Sequence, residues 1–442
     1  MKISRSLLAI LATVFAFGMS GPAPAHKRGD PHLMALASYD TGLGANGAEI
    51  ISLRDDGMAV LTNVAGSIDV LDLSEPASPR LVRRIEIGLA DGTPNSAAIH
   101  PQRDYFLVVV GTPGQLGKVL AYRLDGTFLA SAAVGIQPDS VAIAPNGKYA
   151  VVANEAEGTG TGANGGAGSL SVVDLDDFRG RAPAPLVIAQ VALPSQAGVA
   201  GFSTGRTDDL ARLPVDNTPE TLEPESVAFS RDSRYAYVTL QENSGVVRLE
   251  LRSGELTFFG LGQTSHLADL TTTDNAYLPL STLTAYREPD GIAVDPRGNF
   301  FVTADEGDTR NGAGASGPRG GRTVSVFDAR SGALFGDTGS QLDDAAAAAG
   351  LYPDARSNRG GSEPEGLDLT QHRGKTLVAV GLERANAVAL VDVTQPASPR
   401  VVDIMAVGSN PEGIKFLHRK GRLYVVTANE VAGTVSVLEV VH

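Results

Sequence analysis

The sequence predicts an all-β fold, a seven-bladed β-propeller, on three observations. First, a short turn followed by an alternating apolar strand occurs seven times along the chain. Second, each copy is followed by a polar turn and another apolar strand, and most copies by a third strand. Third, 51 glycines and 25 prolines with only 5% aromatic residues indicate many tight turns. Units of three to four antiparallel strands that repeat in this way are typical of propeller blades.

The chain begins with a predicted secretory signal peptide. Lys2 and Arg5 precede the apolar run 7–17, and the small residues at 23–25 are typical of a cleavage site. We therefore expect a signal peptide at 1–25 and a propeller domain at 26–442, in a periplasmic or secreted protein. The apolar run is short for a spanning helix, which leaves a signal anchor as the alternative, and no other segment is long enough to cross a membrane.

The repeated motif predicts the innermost strand of each blade. Its seven copies start at Gly47, Pro94, Pro138, Pro224, Pro289, Pro364 and Pro411. The last unit lacks a fourth strand, whereas segment 32–39 lacks a partner in the first unit. We therefore expect the N-terminal segment to supply the outer strand of the last blade and to close the ring. An open two-layer sandwich is the alternative, which seven copies in phase disfavour.

The long insertions of the predicted ring fall on one face. The turn before the first strand of a blade and the loop after its second strand share a face, and every insertion occupies one of these positions. The insertions are 155–168, 176–223, 253–288, 306–321 and 331–363. The last of them contains the one predicted helix, 341–352. Because function on a rigid scaffold concentrates in such loops, we expect the functional site on this insertion face.

The repeated turn also places one polar residue of each blade at the mouth of the central channel. These residues are Glu49, Asn95, Asp139, Glu225, Asp290, Glu365 and Glu412. Crowded carboxylates raise one another's pKa unless a cation lies between them. A ring of oxygen ligands suits Ca²⁺ best, then Mg²⁺, and less often Mn²⁺ or Fe. The alternative is structural, because Pro-Glu-Gly and Pro-Asp-Gly are favourable turn sequences whose carboxylates can accept backbone N–H bonds.

A second set of acidic residues follows the second strands, farther from the axis. The candidate metal ligands of this set are Glu155, Glu242, Asp305, Glu306 and Glu430, with Glu383 at the same position of its blade. Segment 303–311 is the densest and adds Asp308 and Arg310 as candidate catalytic residues. Arg310 and Arg384 are candidates for binding an anionic group beside a metal. His266 is a candidate ligand or acid/base, with a solvated loop histidine as the alternative.

Composition excludes several functions. The absence of cysteine excludes disulfides and lipid attachment at a cysteine. The net charge is −14, and removal of Lys2 and Arg5 makes it two units more negative, so we expect no gripped nucleic acid. The chain contains no HExxH motif, no GxSxG elbow and no cysteine nucleophile. If the protein is an enzyme, the residues permit metal-assisted hydrolysis.

Nine phrases, in order, resemble those of choice-of-anchor I domain proteins. They are SYDTGLGANGAEI, SIDVLDLSEPASP, GTPNSAAI, LEPESVAFSRDSRYAYVTLQENS, YREPDGIAV, TADEGDTRN, SEPEGLDL, GLERANAVALVDV and VTANEVAGTVSV. The resemblance extends from about Tyr39 to the C-terminus, and a wider one connects the chain with lactonase-type and YVTN-type propellers. It implies an exported propeller, and some relatives are labelled alkaline phosphatases or are joined to phosphoesterase and nuclease domains. Relatives often carry C-terminal anchors, whereas this chain ends at LEVVH, which implies a free form.

The chain departs from the family pattern at Asp305 and Thr309, where the family usually has Asn and Ala. Three hypotheses follow. The first is divalent-metal binding at the acidic face, with hydrolysis of a phosphate ester or lactone. The second is a non-catalytic module that binds a ligand or protein at the cell surface or in the periplasm, and the third has ions that only close the ring. We expect a monomer whose ligand is a small anionic substrate or a surface group.

Overall fold

The computed structural model describes residues 29–156, 168–178, 180, 186–193, 207–215, 221–307 and 320–442. The predicted signal peptide and the candidate residues Asp308 and Arg310 lie outside these ranges. Within them, seven four-stranded antiparallel sheets follow one another as the blades of a ring, which confirms the predicted seven-bladed propeller. We number the strands β1 to β30 in chain order.

Blades 1 to 4 each use four consecutive strands. Blade 1 consists of β2 (Ile51–Leu53), β3 (Met58–Asn63), β4 (Ser67–Asp72) and β5 (Arg80–Glu86). Blade 2 consists of β6 (Thr93–Ile99), β7 (Tyr105–Gly111), β8 (Leu116–Arg123) and β9 (Phe128–Ile136). Blade 3 consists of β10 (Pro138–Ile143), β11 (Tyr149–Asn154), β12 (Ser169–Asp174) and β13 (Val187–Ala192). Blade 4 consists of β14 (Pro224–Phe229), β15 (Tyr235–Leu240), β16 (Gly245–Glu250) and β17 (Leu256–Gly260).

A two-stranded hairpin separates blade 4 from blade 5. It consists of β18 (Gln263–Ala268) and β19 (Ser281–Tyr286). Blade 5 consists of β20 (Pro289–Val294), β21 (Phe300–Asp305), β22 (Thr323–Asp328) and β23 (Leu334–Asp337). Blade 6 consists of β24 (Pro364–His372), β25 (Lys375–Leu382), β26 (Ala387–Asp392) and β27 (Arg400–Ala406). Blade 7 consists of β28 (Pro411–Arg419), β29 (Arg422–Asn429), β30 (Thr434–Val441) and β1 (His32–Asp40).

The N-terminal strand closes the ring as predicted. β1 pairs antiparallel with β30, from His32 opposite Val441 to Asp40 opposite Thr434. Thr41 continues the connection, because its backbone N and Oγ1 donate to the carbonyl of Gly433 at 3.1 and 2.7 Å. The last blade therefore contains strands from both ends of the described chain, which connects blade 7 to blade 1.

The core lies between neighbouring blades. β7 is buried along its whole length, and its Leu107 and Val109 share one apolar cluster with Val152 and Val173 of blade 3. Strands buried on both faces are continuous apolar runs, which is why the second strands were prominent in the sequence. Among the described residues, no helix has the length and apolar character needed to cross a bilayer.

The long stretches before first strands contain more regular structure than their sequence indicates. Each includes the outer strand of its blade, namely β13, β17 and β23. Their preceding turns therefore lie on the opposite face, and only the remainder of each stretch extends the insertion face. The predicted helix is present as α1 (Gln341–Ala348).

Candidate metal centre in the central channel

The innermost strands of all seven blades surround a cavity of about 390 Å³ on the ring axis. Five of the seven predicted mouth residues line it, namely Glu49, Asn95, Asp139, Asp290 and Glu412. The other two, Glu225 and Glu365, lie close enough to Asp290 for its charge to raise their pKa. The structure therefore brings the side chains of the repeated turn together at one opening.

A β-bulge at six of the seven motifs positions these side chains. The innermost strands shift register directly after Pro94, Pro138, Pro224, Pro289, Pro364 and Pro411. Proline donates no backbone hydrogen bond, and the extra residue of a bulge is left out of the strand ladder. The residue after the proline is therefore free to direct its side chain into the channel.

The residue before the proline adopts a left-handed conformation in four motifs. Gln137, Glu288, Glu363 and Asn410 have φ angles of 47°, 45°, 51° and 54°. The carbonyl of each accepts a backbone hydrogen bond from the segment that follows the second strand. The bonds are Glu155 N to Gln137 O at 3.0 Å, Gly307 N to Glu288 O at 3.2 Å, Glu383 N to Glu363 O at 2.8 Å and Glu430 N to Asn410 O at 2.7 Å. These bonds hold the second set of acidic residues beside the mouth.

Neighbouring blades raise the pKa of one another's carboxylates. Burial raises the pKa of Glu49 to about 8, with a further contribution from the charges of Glu430 and Asp139. Burial alone raises the pKa of Asp139 to about 6. Burial, followed by the charges of Glu49, Glu430 and Asp290, holds the pKa of Glu412 well above its ordinary value.

The same effect appears where the two sets of acidic residues meet. Burial and then the charge of Glu242 raise the pKa of Glu225. Burial and then the charges of Glu306 and Glu383 raise the pKa of Glu365. Many carboxylates that converge on a narrow channel create a negative potential that attracts cations.

Three buried carboxylate oxygens at this mouth lack a hydrogen-bond partner among the described residues. They are Glu49 Oε2, Glu225 Oε2 and Glu242 Oε2. The side chain of Glu225 is nearly enclosed, since the residue is only 9% exposed. A buried charged oxygen without a partner costs a few kcal/mol, on the order of 1–3 or more. A proton, a water or a cation would remove that cost, and a cation would also reduce the repulsion between the carboxylates.

Asn95 behaves differently from the other mouth residues. Its Nδ2 donates to the carbonyl of Pro138 at 2.9 Å, and its Oδ1 accepts from Thr93 Oγ1 at 3.0 Å. Asn95 therefore connects blade 2 to blade 3, and both polar atoms of its amide already form hydrogen bonds within the protein.

A second group of carboxylates joins blades 5 and 6. Glu306, Glu363 and Glu383 each place one oxygen within 4.8 Å of the others. Two arginines partly neutralise the negative charge of this group. Arg356 Nε donates to Glu363 Oε1 at 2.9 Å, and Arg384 Nε donates to Glu363 Oε2 at 2.8 Å. Arg384 Nε also lies 2.7 Å from Glu383 Oε2.

Sequence reasoning missed Glu363 and Arg356. Glu363 precedes the proline of its motif and is the last residue of the insertion 331–363, and Glu223 and Glu288 occupy the same position in blades 4 and 5. That recurrence of an acidic residue was the available signal. Arg356 lies in an insertion, and nothing in the sequence connects it with the motif.

Of the second set, Glu155 and Glu306 lie at the mouth with polar partners. Glu155 Oε2 accepts from Gln137 Nε2 at 2.9 Å, and Glu306 Oε2 accepts from Gln241 Nε2 at 2.7 Å. Glu430 is half-buried and contributes its charge to the neighbouring mouth residues.

Asp305 is enclosed within blade 5. Its carboxylate accepts from Thr303 Oγ1 at 2.6 Å, from Thr323 Oγ1 at 2.5 Å and from Ser325 Oγ. Burial raises its pKa to about 6. Asn154 occupies the corresponding position in blade 3, where its Nδ2 donates to Ser169 Oγ at 3.2 Å and to Ser171 Oγ at 3.0 Å in the third strand. The structure thus gives Asp305 hydroxyl partners inside its own blade.

His266 lies in the hairpin, opposite Leu283. Its Nδ1 is 3.0 Å from the carbonyl of Leu267 and its Nε2 is 3.0 Å from the carbonyl of Gly321. It does not line the channel cavity. The structure therefore does not bring His266 together with the acidic ring, while Asp308 and Arg310 are outside the described residues.

Comparisons with known proteins agree with this architecture. The family model described as "Choice-of-anchor I domain" matches residues 49–316 and 318–396. A search of curated proteins found no match. The fold is similar to that of Kuenenia stuttgartiensis hydrazine synthase, with a TM-score of 0.57 and 13% identity over 89% of this chain and 96% of that chain. It is also similar to the β-propeller domain of Cps50 (Swd1) from Myceliophteria thermophila, with a TM-score of 0.55 and 9% identity over 92% of this chain and 100% of that chain. At such identities, the two structures show a common fold alone.

Proposed function

The chain belongs to the choice-of-anchor I domain family, and we propose that its propeller binds a divalent cation, Ca²⁺ in the first place, at the acidic mouth of the central channel. Domains of this family are typically extracellular or at the cell surface. Calcium is abundant outside cells, where sites of moderate affinity suffice to bind it. We further propose that the protein is exported by its N-terminal signal peptide.

One observation carries this proposal. Glu49, Glu225 and Glu242 each hold a buried carboxylate oxygen that has no hydrogen-bond partner among the described residues. If the repeated turns were only structural, backbone N–H groups would satisfy these oxygens. Instead, they lie among further carboxylates, whose charges add to burial in raising their pKa.

The donors determine which ion fits. Carboxylate oxygens dominate the mouth, and no histidine lines the cavity in the described part of the chain. Ca²⁺ accepts six to eight oxygen ligands in flexible geometry, whereas Mg²⁺ requires a near-ideal octahedron. Donors that approach from different blades favour Ca²⁺, and the absence of imidazole donors from the described cavity lining makes Fe less suitable.

Metal-dependent hydrolysis of a phosphate ester or lactone is the second candidate function. The observation that favours it is the pair Arg356 and Arg384 beside the Glu306–Glu363–Glu383 group. A guanidinium carries five N–H donors, and the described bonds of Arg384 use only Nε. Its remaining donors could hold an anionic group next to a metal. A cation ligated entirely by protein would instead favour a non-catalytic ligand- or protein-binding module.

Calcium titration by calorimetry, after chelator treatment and dialysis, tests the proposal. We expect stoichiometric binding by the wild-type protein and its loss in the double variant E225Q/E412Q. The matched control E86Q/E255Q removes the same two charges at exposed positions and should bind normally. Elemental analysis of protein purified without chelator gives an independent count of bound metal. A wild-type protein that takes up no Ca²⁺, Mg²⁺ or Mn²⁺ would overturn the proposal.

A further inference from the structure

The face opposite the acidic mouth carries a cleft lined by arginines. The cleft has a volume of about 610 Å³ and lies where turns of blades 4 and 5 meet. Arg231 and Arg234 come from the turn between β14 and β15, and Arg297 comes from the turn between β20 and β21. Arg330 follows β22, and Arg248 lies in β16. Five arginines around one cleft contrast with the net charge of −14 of the whole chain.

Arg248 forms a fixed part of the wall. Its Nη1 donates to the carbonyl of Ala329 at 2.9 Å, and its Nη2 donates to Thr257 Oγ1 at 3.2 Å. Its guanidinium also lies over the rings of Tyr235 and Phe259, at 4.8 and 5.3 Å from their centroids. Both hydrogen-bond acceptors are neutral, so the positive charge of Arg248 is held in place without being neutralised.

Of the other four arginines, one forms an ion pair in the described part of the chain. Arg234 pairs with Glu250 at 2.9 Å. In contrast, Arg231, Arg297 and Arg330 form no ion pair within the described part of the chain, and all three are exposed to solvent. The charge of Arg330 acts on Asp328, which does not line the cleft. The cleft still keeps an excess of positive charge at a concave surface, where field lines are focused on a bound anion.

Among the described residues that line the cleft, Asp232 is the one carboxylate. It accepts a hydrogen bond from Ser230 Oγ at 2.6 Å and another from the backbone N of Arg234 at 3.0 Å. Asp232 thus stabilises its own turn and does not balance the excess of guanidinium groups.

We propose that this cleft binds the phosphate groups of an anionic ligand. The planar guanidinium donates two parallel hydrogen bonds to a phosphate, which is why several arginines around one cavity favour phosphate over a single carboxylate. The volume falls within the range of about 300–1,000 Å³ that is usual for small-molecule sites. A soluble phosphate compound and a phospholipid headgroup share this chemistry. The site is separate from the cation site, because it lies on the other face and is formed by the turns at the opposite ends of the strands of blades 4 and 5.

Calorimetry with inorganic pyrophosphate tests the proposal. The titration is made in EDTA, so that a cation-bridged complex at the channel mouth cannot contribute. We expect one pyrophosphate per chain and a dissociation constant at least tenfold higher for R231Q/R297Q, or about 1.4 kcal/mol. The matched control R83Q/R373Q removes two exposed arginines elsewhere and should change the constant less than twofold.

Co-sedimentation with vesicles distinguishes the two sources of phosphate. Binding to phosphatidylcholine vesicles that contain phosphatidic acid, lost in R231Q/R297Q and kept in R83Q/R373Q, assigns a lipid headgroup. Pyrophosphate binding without sedimentation assigns a soluble ligand. A wild-type protein that binds no pyrophosphate overturns the proposal. Equal weakening in both double variants also overturns it, because overall charge would then account for the binding.

Discussion

Replacing Glu49 by Gln is expected to stabilise the metal-free protein at pH 8 and to destabilise the calcium-loaded protein. The pKa of Glu49 is about 8 in the fold, against an ordinary value of 4.5. The folded protein therefore holds more protons than the unfolded chain between these two values, and the free energy of unfolding falls as the pH rises through that window. Each pKa unit is worth about 1.4 kcal/mol, which sets an upper limit of about 5 kcal/mol on the loss.

Gln has nearly the same volume as Glu and cannot ionise, so E49Q should not lose stability in that window. In chelator, E49Q should resemble the wild-type protein at pH 5 and exceed it in stability at pH 8. In saturating Ca²⁺ the order should reverse, because the ion stabilises the folded state in proportion to its affinity and E49Q lacks one ligand.

Urea unfolding at pH 5 and pH 8, each in EDTA and in Ca²⁺, measures all four free energies. The variant E86Q, on the exposed side of β5, serves as the control for a simple loss of charge. If E49Q were destabilised equally at both pH values in chelator, the carboxylate would be a structural hydrogen-bond acceptor. That result would refute the electrostatic reasoning for the mouth.

Two further substitutions test other parts of the structure. Asp305→Asn should keep the melting temperature at pH 8 or raise it. The raised pKa of Asp305 lowers the stability of the wild-type protein as the pH passes from 3.8 to about 6 and above, and Asn does not ionise. A large fall in the melting temperature would contradict the bonding we describe in blade 5. Leu33→Ala in β1 should lower the free energy of unfolding by about 2–5 kcal/mol, because Leu33 is buried against blades 6 and 7. The control is Met34→Ala, at the exposed neighbouring position. Equal effects of the two substitutions would argue against closure of the ring by β1.

The architecture could be predicted because each blade repeats the same local signals. Proline before the innermost strand and an apolar second strand recur in phase, so the number of blades and the closing strand followed from counting. The outer strands β13, β17 and β23 were harder to find. One face of an outer strand meets solvent and packing on it is weak, so exposed apolar residues such as Val187 and Leu334 do not produce a clear alternation.

The candidate site was only partly predictable for a different reason. A motif identifies residues at equivalent positions within blades, but a contact between blades depends on which insertions meet. Arg356 and Arg384 both bond Glu363, and the folded ring is what brings Arg356, from an insertion, next to the motif. The arginine cleft was missed for the same reason, because Arg231 and Arg297 lie in short turns that have no marked composition when each is considered alone.

The backbone beside the mouth favours a ligand site over a set of structural turns. Gln137, Glu288, Glu363 and Asn410 are left-handed, a conformation that glycine adopts without strain and that costs other residues about 1–3 kcal/mol. A turn selected only for its shape would be cheapest with glycine at these positions. The chain instead places a side chain with an oxygen donor at all four, and two of the four are glutamates, which visit this region rarely. The side chain is therefore the feature that these positions retain, and two of the four hold carboxylates of the second set. Gln137 Nε2 donates to Glu155 Oε2 at 2.9 Å, and Asn410 Nδ2 donates to Glu383 Oε1 at 2.5 Å.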